Sequence, residues 1–127
     1  DPTFEELLIT SYYGRGTDGF GPLGPYITSK EAVDDPYNLL MLSRHNEKQL
    51  DRSFTGAMIV GIEKSIEYLS GFMTLSPGSI IHMGTMGIDG ITFAEDVKLG
   101  ANDYVEIEIE KVGILRTYFD DKREIFS

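Results

Sequence analysis

Three side chains able to bind or polarise a small anion lie close together near the start of the chain. Arg15, Thr17 and Asp18 offer a fixed positive charge, a hydroxyl and a carboxylate. They belong to residues 14–26, which contain five glycines and two prolines. This density is typical of a loop whose backbone adopts conformations that residues with a Cβ rarely adopt. Composition alone favours a surface connector, and the alternative is a shaped loop that presents these side chains to a ligand.

A second glycine-rich segment, residues 84–90, has a similar potential. It follows residues 79–83, an apolar stretch predicted to be a buried strand. A loop at the end of such a strand can present main-chain N–H groups and the Thr85 hydroxyl to an oxyanion or a carboxylate, and the alternative is an ordinary turn. His82, inside the predicted strand, is expected to be a satisfied core histidine rather than a catalytic base.

The strongest helical pattern lies in residues 53–70. Apolar side chains recur there at the spacing of one helix face: Met58, Ile59, Ile62, Ile66 and Leu69. Ser53 or Thr55 is available as the N-cap, and Gly71 follows as a C-terminal stop. We therefore predict one main helix whose apolar stripe packs into the core rather than against a cofactor. A shorter helix, capped by Thr3, is predicted at the start of the chain.

Period-two alternation and turn residues predict the strands. They are residues 26–27, 39–45, 48–52, 79–83, 105–110 and 113–118. The second and third form a hairpin around Asn46, and His45 is expected to be an exposed hairpin residue rather than a ligand. In the fifth, Glu106, Glu108 and Glu110 alternate with apolar residues, so the glutamates are expected on a solvated face. Metal binding by this row is the less favoured alternative, because no histidine lies near it in sequence.

The whole chain of 127 residues is predicted to be a single α+β domain, residues 1–127. We expect a mostly antiparallel or mixed β-sheet curled around the helix at residues 53–70. The net charge of −10 argues against partnership with nucleic acid or an anionic membrane. It also means that a small anionic substrate needs a local positive centre, such as Arg15 or a divalent metal. The absence of cysteine and of a long apolar run predicts a soluble, cytoplasmic protein.

Four blocks of the chain, in order and spacing, resemble the fumarylacetoacetate hydrolase family. They are residues 15–25 (RGTDGFGPLGP), 69–85 (LSGFMTLSPGSIIHMGT), 98–100 (KLG) and 112–116 (VGILR). The first block is similar to the family pattern Lys-x-x-Asp-x-Phe-x-Pro-x-Gly-Pro. The second contains the family's run from a leucine-serine pair through proline-glycine to glycine-threonine. The resemblance covers most of the chain and implies a β-roll or barrel.

The resemblance also implies a function. Members of this family are homodimeric enzymes that use Mg²⁺ or Mn²⁺ to cleave, isomerise, decarboxylate or dehydrate small 2-oxo acids and acylpyruvates through an enolate. Arg15 stands in the position of a lysine near the metal, which makes it the candidate catalytic and substrate-binding residue. Gly84 and Thr85 match the glycine-threonine pair whose hydroxyl contacts the substrate, so they are the other candidate substrate-binding residues.

Some residues depart from the family pattern. Arg15 keeps the charge of the lysine but cannot act as a neutral amine base. Gly19 lacks the hydroxyl that the family commonly has at this position. These departures leave open an alternative function, a non-catalytic binding or assembly module that retains the fold.

The resemblance places the metal ligands before the position that matches Asp1. We therefore expect no metal ligand in this chain and no turnover by this chain alone. It would correspond to the C-terminal piece of a longer protein, or would associate with a separate polypeptide that supplies the other half.

Overall fold

The computed structural model describes residues 19–84 and 98–120, which form one antiparallel sheet and one α-helix. The strands are β1 (Leu40–His45), β2 (Lys48–Phe54), β3 (Tyr104–Ile109) and β4 (Gly113–Tyr118), in the sheet order β2-β1-β3-β4. The helix is α1 (Ile62–Ser70), and two short 3-10 helices cover Lys30–Ala32 and Thr55–Ala57. The α+β class is confirmed, with an antiparallel rather than a mixed sheet. Over the described residues this sheet is open and does not close into a barrel.

The β1–β2 hairpin forms where the sequence predicts it. Asn46 lies in its turn with a φ of 52°, a left-handed conformation that asparagine adopts more readily than most residues. Strand β2 continues two residues beyond its predicted end, because Phe54 pairs with Leu40 at the start of β1. The register shifts between Ser43 and Arg44, which marks a bulge in this pair of strands.

His45, expected to be exposed, is held at the end of β1 by Asp103. Its Nε2 lies 2.9 Å from Asp103 Oδ2, and its side chain is only 16% exposed. Asn46 Nδ2 donates to the other carboxylate oxygen at 3.0 Å, and the Gly100 N–H donates to Oδ2 at 2.8 Å. These hydrogen bonds, the one from Asn46 foremost, lower the pKa of Asp103 to about 2. The expectation was wrong because the partner of His45 is 58 residues away in sequence.

The glutamates of β3 do not form the solvated face that the alternation predicted. Glu106 is buried, with 11% of its side chain exposed, whereas Ile107 is 38% exposed. The sheet register explains this difference, since it places Arg44 on β1 and Arg116 on β4 to either side of Glu106. Arg116 donates to Glu106 Oε1 from Nε at 2.9 Å and from Nη2 at 2.7 Å. Because its charge is paired, the Glu106 carboxylate is buried in the sheet, whereas an unpaired carboxylate is expected to face water.

The main helix begins at Ile62, nine residues later than predicted. Ser53 is part of β2, and the Thr55 hydroxyl accepts a hydrogen bond from the Leu39 N–H at 3.0 Å instead of capping a helix. The helix ends where predicted, with Gly71 as its C-cap. Hydrophobic periodicity located the helix but not its start, because strand pairing took up the residues that resembled a cap.

Tyr37 connects α1 to the rest of the fold. Its hydroxyl accepts a hydrogen bond from the Ile62 N–H at 2.8 Å and donates to the Glu63 carboxylate. This contact lowers the pKa of Glu63 and raises that of Tyr37. A Cβ at Gly61 would lie 2.9 Å from the Tyr37 hydroxyl, so the start of the helix requires glycine for this approach.

The apolar side chains of the described residues are covered only in part. Leu39, at 5% exposed, is the buried hydrophobic residue among them. Ile66 on α1 is 43% exposed, and Ile59, just before the helix, is fully exposed. The burial expected for the stripe at residues 53–70 is therefore not reached within the part of the chain that the structure describes.

Candidate functional site

Of the three predicted site residues, Gly84 lies among the described residues. Arg15 and Thr85 lie outside them. The remaining polar residues of the first glycine-rich segment, Thr17 and Asp18, also lie outside. The described parts of the site are the ends of the two glycine-rich segments, which begin at Gly19 and end at Gly84.

Gly84 adopts a left-handed conformation with a φ of 82°, which L side chains rarely adopt. Its N–H donates to His82 Nδ1 at a distance of 3.3 Å. A Cβ built on Gly84 would meet no atom within 4 Å, so the backbone there faces open space. A ligand can therefore approach the main chain of Gly84 without displacing another described residue. Because the Gly84 N–H is already donated to His82, the contribution of Gly84 to a ligand is its conformation and its lack of a side chain.

The stretch that leads to Gly84 differs from its prediction. Residues 79–83 are not a strand, and none of the four strands of the described sheet pairs with them. A strand needs a neighbour to accept its main-chain hydrogen bonds, which an apolar run does not guarantee. Ile80 is 68% exposed, and His82 is exposed rather than buried in a core. His82 instead accepts a hydrogen bond from the main chain of Gly84, two residues further along.

The described end of the first glycine-rich segment is also irregular. Gly19 has a φ of 82° and Gly24 a φ of 129°, and each is in a conformation that strongly favours glycine. A Cβ on Gly19 would again meet no atom within 4 Å. The predicted strand at residues 26–27 is absent; Tyr26 is 61% exposed and Ile27 is 95% exposed. Glycine density predicted the loop correctly over these residues, whereas two β-formers were too few to make a strand.

The most strongly charged cluster of the described residues lies on the sheet. Arg44 Nη2 donates to Glu108 Oε2 at 2.6 Å, and Arg116 pairs with Glu106. Arg116 also lies 4.5 Å from the centre of the Tyr104 ring and donates to the Tyr118 hydroxyl at 3.3 Å. The hydrogen bonds to Tyr118 and Glu106 raise the pKa of Arg116. Each of these charges has a partner, so the cluster is a structural network rather than a source of a free acid or base.

The described residues do not fit a divalent metal. No group of three or more histidine, aspartate or glutamate side chains within residues 19–84 and 98–120 could hold one. The donors near Gly84 are an imidazole and main-chain atoms, whereas Mg²⁺ requires several oxygen ligands in octahedral geometry. Asp18 and Asp89, one in each glycine-rich segment, lie outside the described residues. The expectation that this chain supplies no metal ligand stays a prediction.

Comparison with known proteins identifies the family. The family described as fumarylacetoacetate (FAA) hydrolase C-terminal matches residues 3–119. The chain belongs to the fumarylacetoacetate hydrolase family, as the four sequence blocks predicted.

Relatives and solved structures agree with this assignment. The chain is 38% identical over 102 residues to the mitochondrial oxaloacetate tautomerase FAHD2A of Bos taurus, covering 80% of this chain and 32% of that protein. A fumarylacetoacetate hydrolase from Exiguobacterium antarcticum has a similar structure, with a TM-score of 0.77, 27% identity and coverage of 92% of this chain and 44% of that one. A maleylpyruvate hydrolase from Sphingobium, in complex with manganese(II) ion and pyruvate, matches with a TM-score of 0.66, 31% identity and coverage of 80% and 36%.

The chain spans about a third of the length of the curated relatives that it matches, 32% in the bovine case. The described residues contain no helix that is both long enough and apolar enough to cross a membrane. The bovine relative is named as mitochondrial, so the cytoplasmic location expected from the sequence stays a prediction.

Proposed function

We propose that the full-length protein is a divalent-metal-dependent enzyme that acts on a small 2-oxo acid or acylpyruvate through an enolate. The observation that carries this proposal is the family match over residues 3–119, which includes both glycine-rich segments. Relatives named as an oxaloacetate tautomerase and a maleylpyruvate hydrolase act on compounds of this class. The manganese and pyruvate in one of the similar structures support both the metal and the class of substrate.

In this proposal Arg15 binds the substrate carboxylate. A guanidinium presents several N–H donors in a plane and forms two parallel hydrogen bonds to a carboxylate. This fixed charge would also give a small dianion a local positive centre on a chain whose net charge is −10. Arginine stays protonated at neutral pH, so Arg15 orients the substrate and stabilises negative charge but does not take a proton.

The second glycine-rich segment supplies the other contact. The Thr85 hydroxyl donates to a substrate oxygen, next to a Gly84 backbone that is open to approach. When bound, a divalent metal supplies a hard positive centre that stabilises negative charge on the substrate oxygens. Its ligands are proposed to lie outside this chain, and the residues of this chain bind and orient the substrate beside it.

An assay of the full-length protein tests the proposal. Oxaloacetate, acylpyruvates and 2-keto-3-deoxy sugar acids would each be tested with Mg²⁺, with Mn²⁺ and with chelator. We expect turnover of at least one of these compounds that chelator abolishes and added metal restores. No metal-dependent turnover of any of them would instead favour the non-catalytic module.

The backbone conformation of Gly19 is relevant to the alternative of a non-catalytic module. Gly19 holds a left-handed φ of 82°, in which a threonine or a serine would be strained. A residue with the hydroxyl that the family commonly has at this position would therefore carry strain or need a different backbone conformation here. Retained activity would show that this hydroxyl is dispensable for the reaction.

A further inference from the structure

The chain that leaves the first glycine-rich segment contacts the turn between β3 and β4. The Thr28 hydroxyl donates to the Val112 carbonyl oxygen at 3.0 Å, across a sequence separation of 84 residues. Thr28 is partly buried at this contact. The hydrogen bond therefore joins two segments that chain connectivity alone does not bring together.

A second contact at the same turn depends on glycine. A Cβ on Gly113 would overlap the hydroxyl and the ring of Tyr26, which lie in the space that a side chain would occupy. Gly113 also has a φ of 131°, which residues with a Cβ rarely adopt. The conformation therefore favours glycine at this position, and the absence of a Cβ leaves the space that the Tyr26 ring and hydroxyl occupy.

A third contact lies beside the other two. Lys111 Nζ pairs with Asp34 Oδ2 at 3.0 Å. This ion pair is exposed, so it adds less than the other two contacts. The three contacts nevertheless come from one segment, residues 26–34, and reach residues 111–113, which are the end of the β3–β4 turn and the first residue of β4.

We propose that residues 111–113, where the β3–β4 turn leads into β4, form a docking site that positions the first glycine-rich segment for substrate binding. Thr28, Tyr26 and Gly113 are then positioning residues, because they act on the substrate through Arg15 rather than by touching it. Tyr26 lies eleven residues after Arg15. Fixing this end of a glycine-rich loop restricts the conformations available to the rest of it, which lowers the entropic cost of ordering Arg15 around a carboxylate. The role of Arg15 rests on the proposed function, whereas the docking contacts do not.

The test uses the full-length protein with Thr28→Val, which keeps the shape of the side chain but removes the hydroxyl. The Thr28→Ser variant retains the hydroxyl and serves as the rescue. A matched control is Ser65→Ala, because Ser65 also donates to a main-chain carbonyl, that of Gly61, at 3.0 Å in a partly buried position. The contacts of Ser65 lie within the first turn of α1, away from the docking site.

We expect Thr28→Val to lower kcat/KM by about three- to tenfold, the effect of losing one hydrogen bond, mainly through a higher KM. Thr28→Ser and Ser65→Ala should stay within twofold of the wild type. A Thr28→Val enzyme with unchanged KM and kcat would overturn the proposal while leaving the proposed function intact.

Hydrogen exchange measured by mass spectrometry gives a readout that does not depend on activity. Thr28→Val should speed exchange over residues 19–27, and Ser65→Ala should leave that region unchanged. Equal exchange in the wild type and Thr28→Val would show that the turn does not hold this segment. If the wild-type protein turns over none of the tested acids, the proposed function fails, and faster exchange in Thr28→Val would still establish the docking.

Discussion

The centre of the sheet and the two glycine-rich segments differ in how they hold their polar groups. Around Glu106 on β3, the charged side chains pair with one another across neighbouring strands. At Gly84 the polar contact is local, between residues two apart, and the backbone faces open space. A region that fixes the fold uses its charges internally, whereas a region suited to binding leaves its backbone accessible.

Breaking the network at the centre of the sheet should have the largest effect. Glu106→Gln removes the carboxylate that pairs with Arg116 at a buried position, whereas Arg44 keeps its closer partner, Glu108. We expect a loss of about 2 kcal/mol in the free energy of unfolding, measured by urea denaturation of the full-length protein. The control is Glu47→Gln, because Glu47 is exposed in the β1–β2 turn. Equal midpoints for the two variants would mean that the network does not stabilise the sheet.

Gly113→Ala tests the boundary between the two regions. The added Cβ meets Tyr26, and the φ of 131° is unfavourable for alanine. We expect a loss of about 1–2 kcal/mol in unfolding free energy by urea denaturation. Gly21→Ala is the control, because a Cβ there meets no atom within 4 Å and its φ is outside the glycine-specific range. A Gly113→Ala protein as stable as Gly21→Ala would contradict a preference for glycine at residue 113.

The sequence predicted the sheet better than it predicted its charges. Alternation along β3 and the Asn46 turn located the strands and the hairpin, because these are local properties of the chain. The burial of Glu106 and the contact between His45 and Asp103 depend on which strands become neighbours, and a single strand does not contain that information. The start of α1 was missed for the same reason.

The site was predicted in a different way. Glycine density located the described ends of both loops, and the family blocks assigned roles to Arg15, Gly84 and Thr85. Neither glycine density nor the family blocks indicate which residues contact a loop and fix its position. The hydrogen bond from Gly84 to His82 and the docking at residues 111–113 became visible only in three dimensions.

The dependence of stability on pH tests the hydrogen bonds around the Asp103 carboxylate. The pKa of Asp103 is lowered to about 2 in the folded protein, below its ordinary value of 3.8. Its stabilising contribution is therefore fully present above pH 3.8 and is lost as the pH falls towards 2. Unfolding midpoints measured from pH 6 to pH 2 should fall more steeply for the wild type than for Asp103→Asn. Parallel curves would contradict the assigned hydrogen bonds.

The smallest expected effect is at His82. Its Nδ1 accepts the Gly84 N–H, so His82→Ala should raise KM by about two- to threefold with little change in kcat. His82→Asn offers an acceptor at the same distance from the backbone and should restore the wild-type KM. His82→Gln, whose acceptor lies one bond further out, should not. Wild-type KM and kcat in all three variants would show that His82 does not contribute to substrate binding.

Substitution of Arg15 in the full-length protein tests the central claim most directly. The measurement is kcat/KM for the best 2-oxo acid substrate, with saturating Mn²⁺, in the wild type, Arg15→Lys and Arg15→Met. Because the proposed charge-assisted contact to the substrate carboxylate is lost, we predict a fall of about 100-fold for Arg15→Met. Arg15→Lys, which restores the residue common in the family, should stay within about tenfold of the wild type. An Arg15→Met enzyme as active as the wild type would contradict the assignment of this loop to substrate binding.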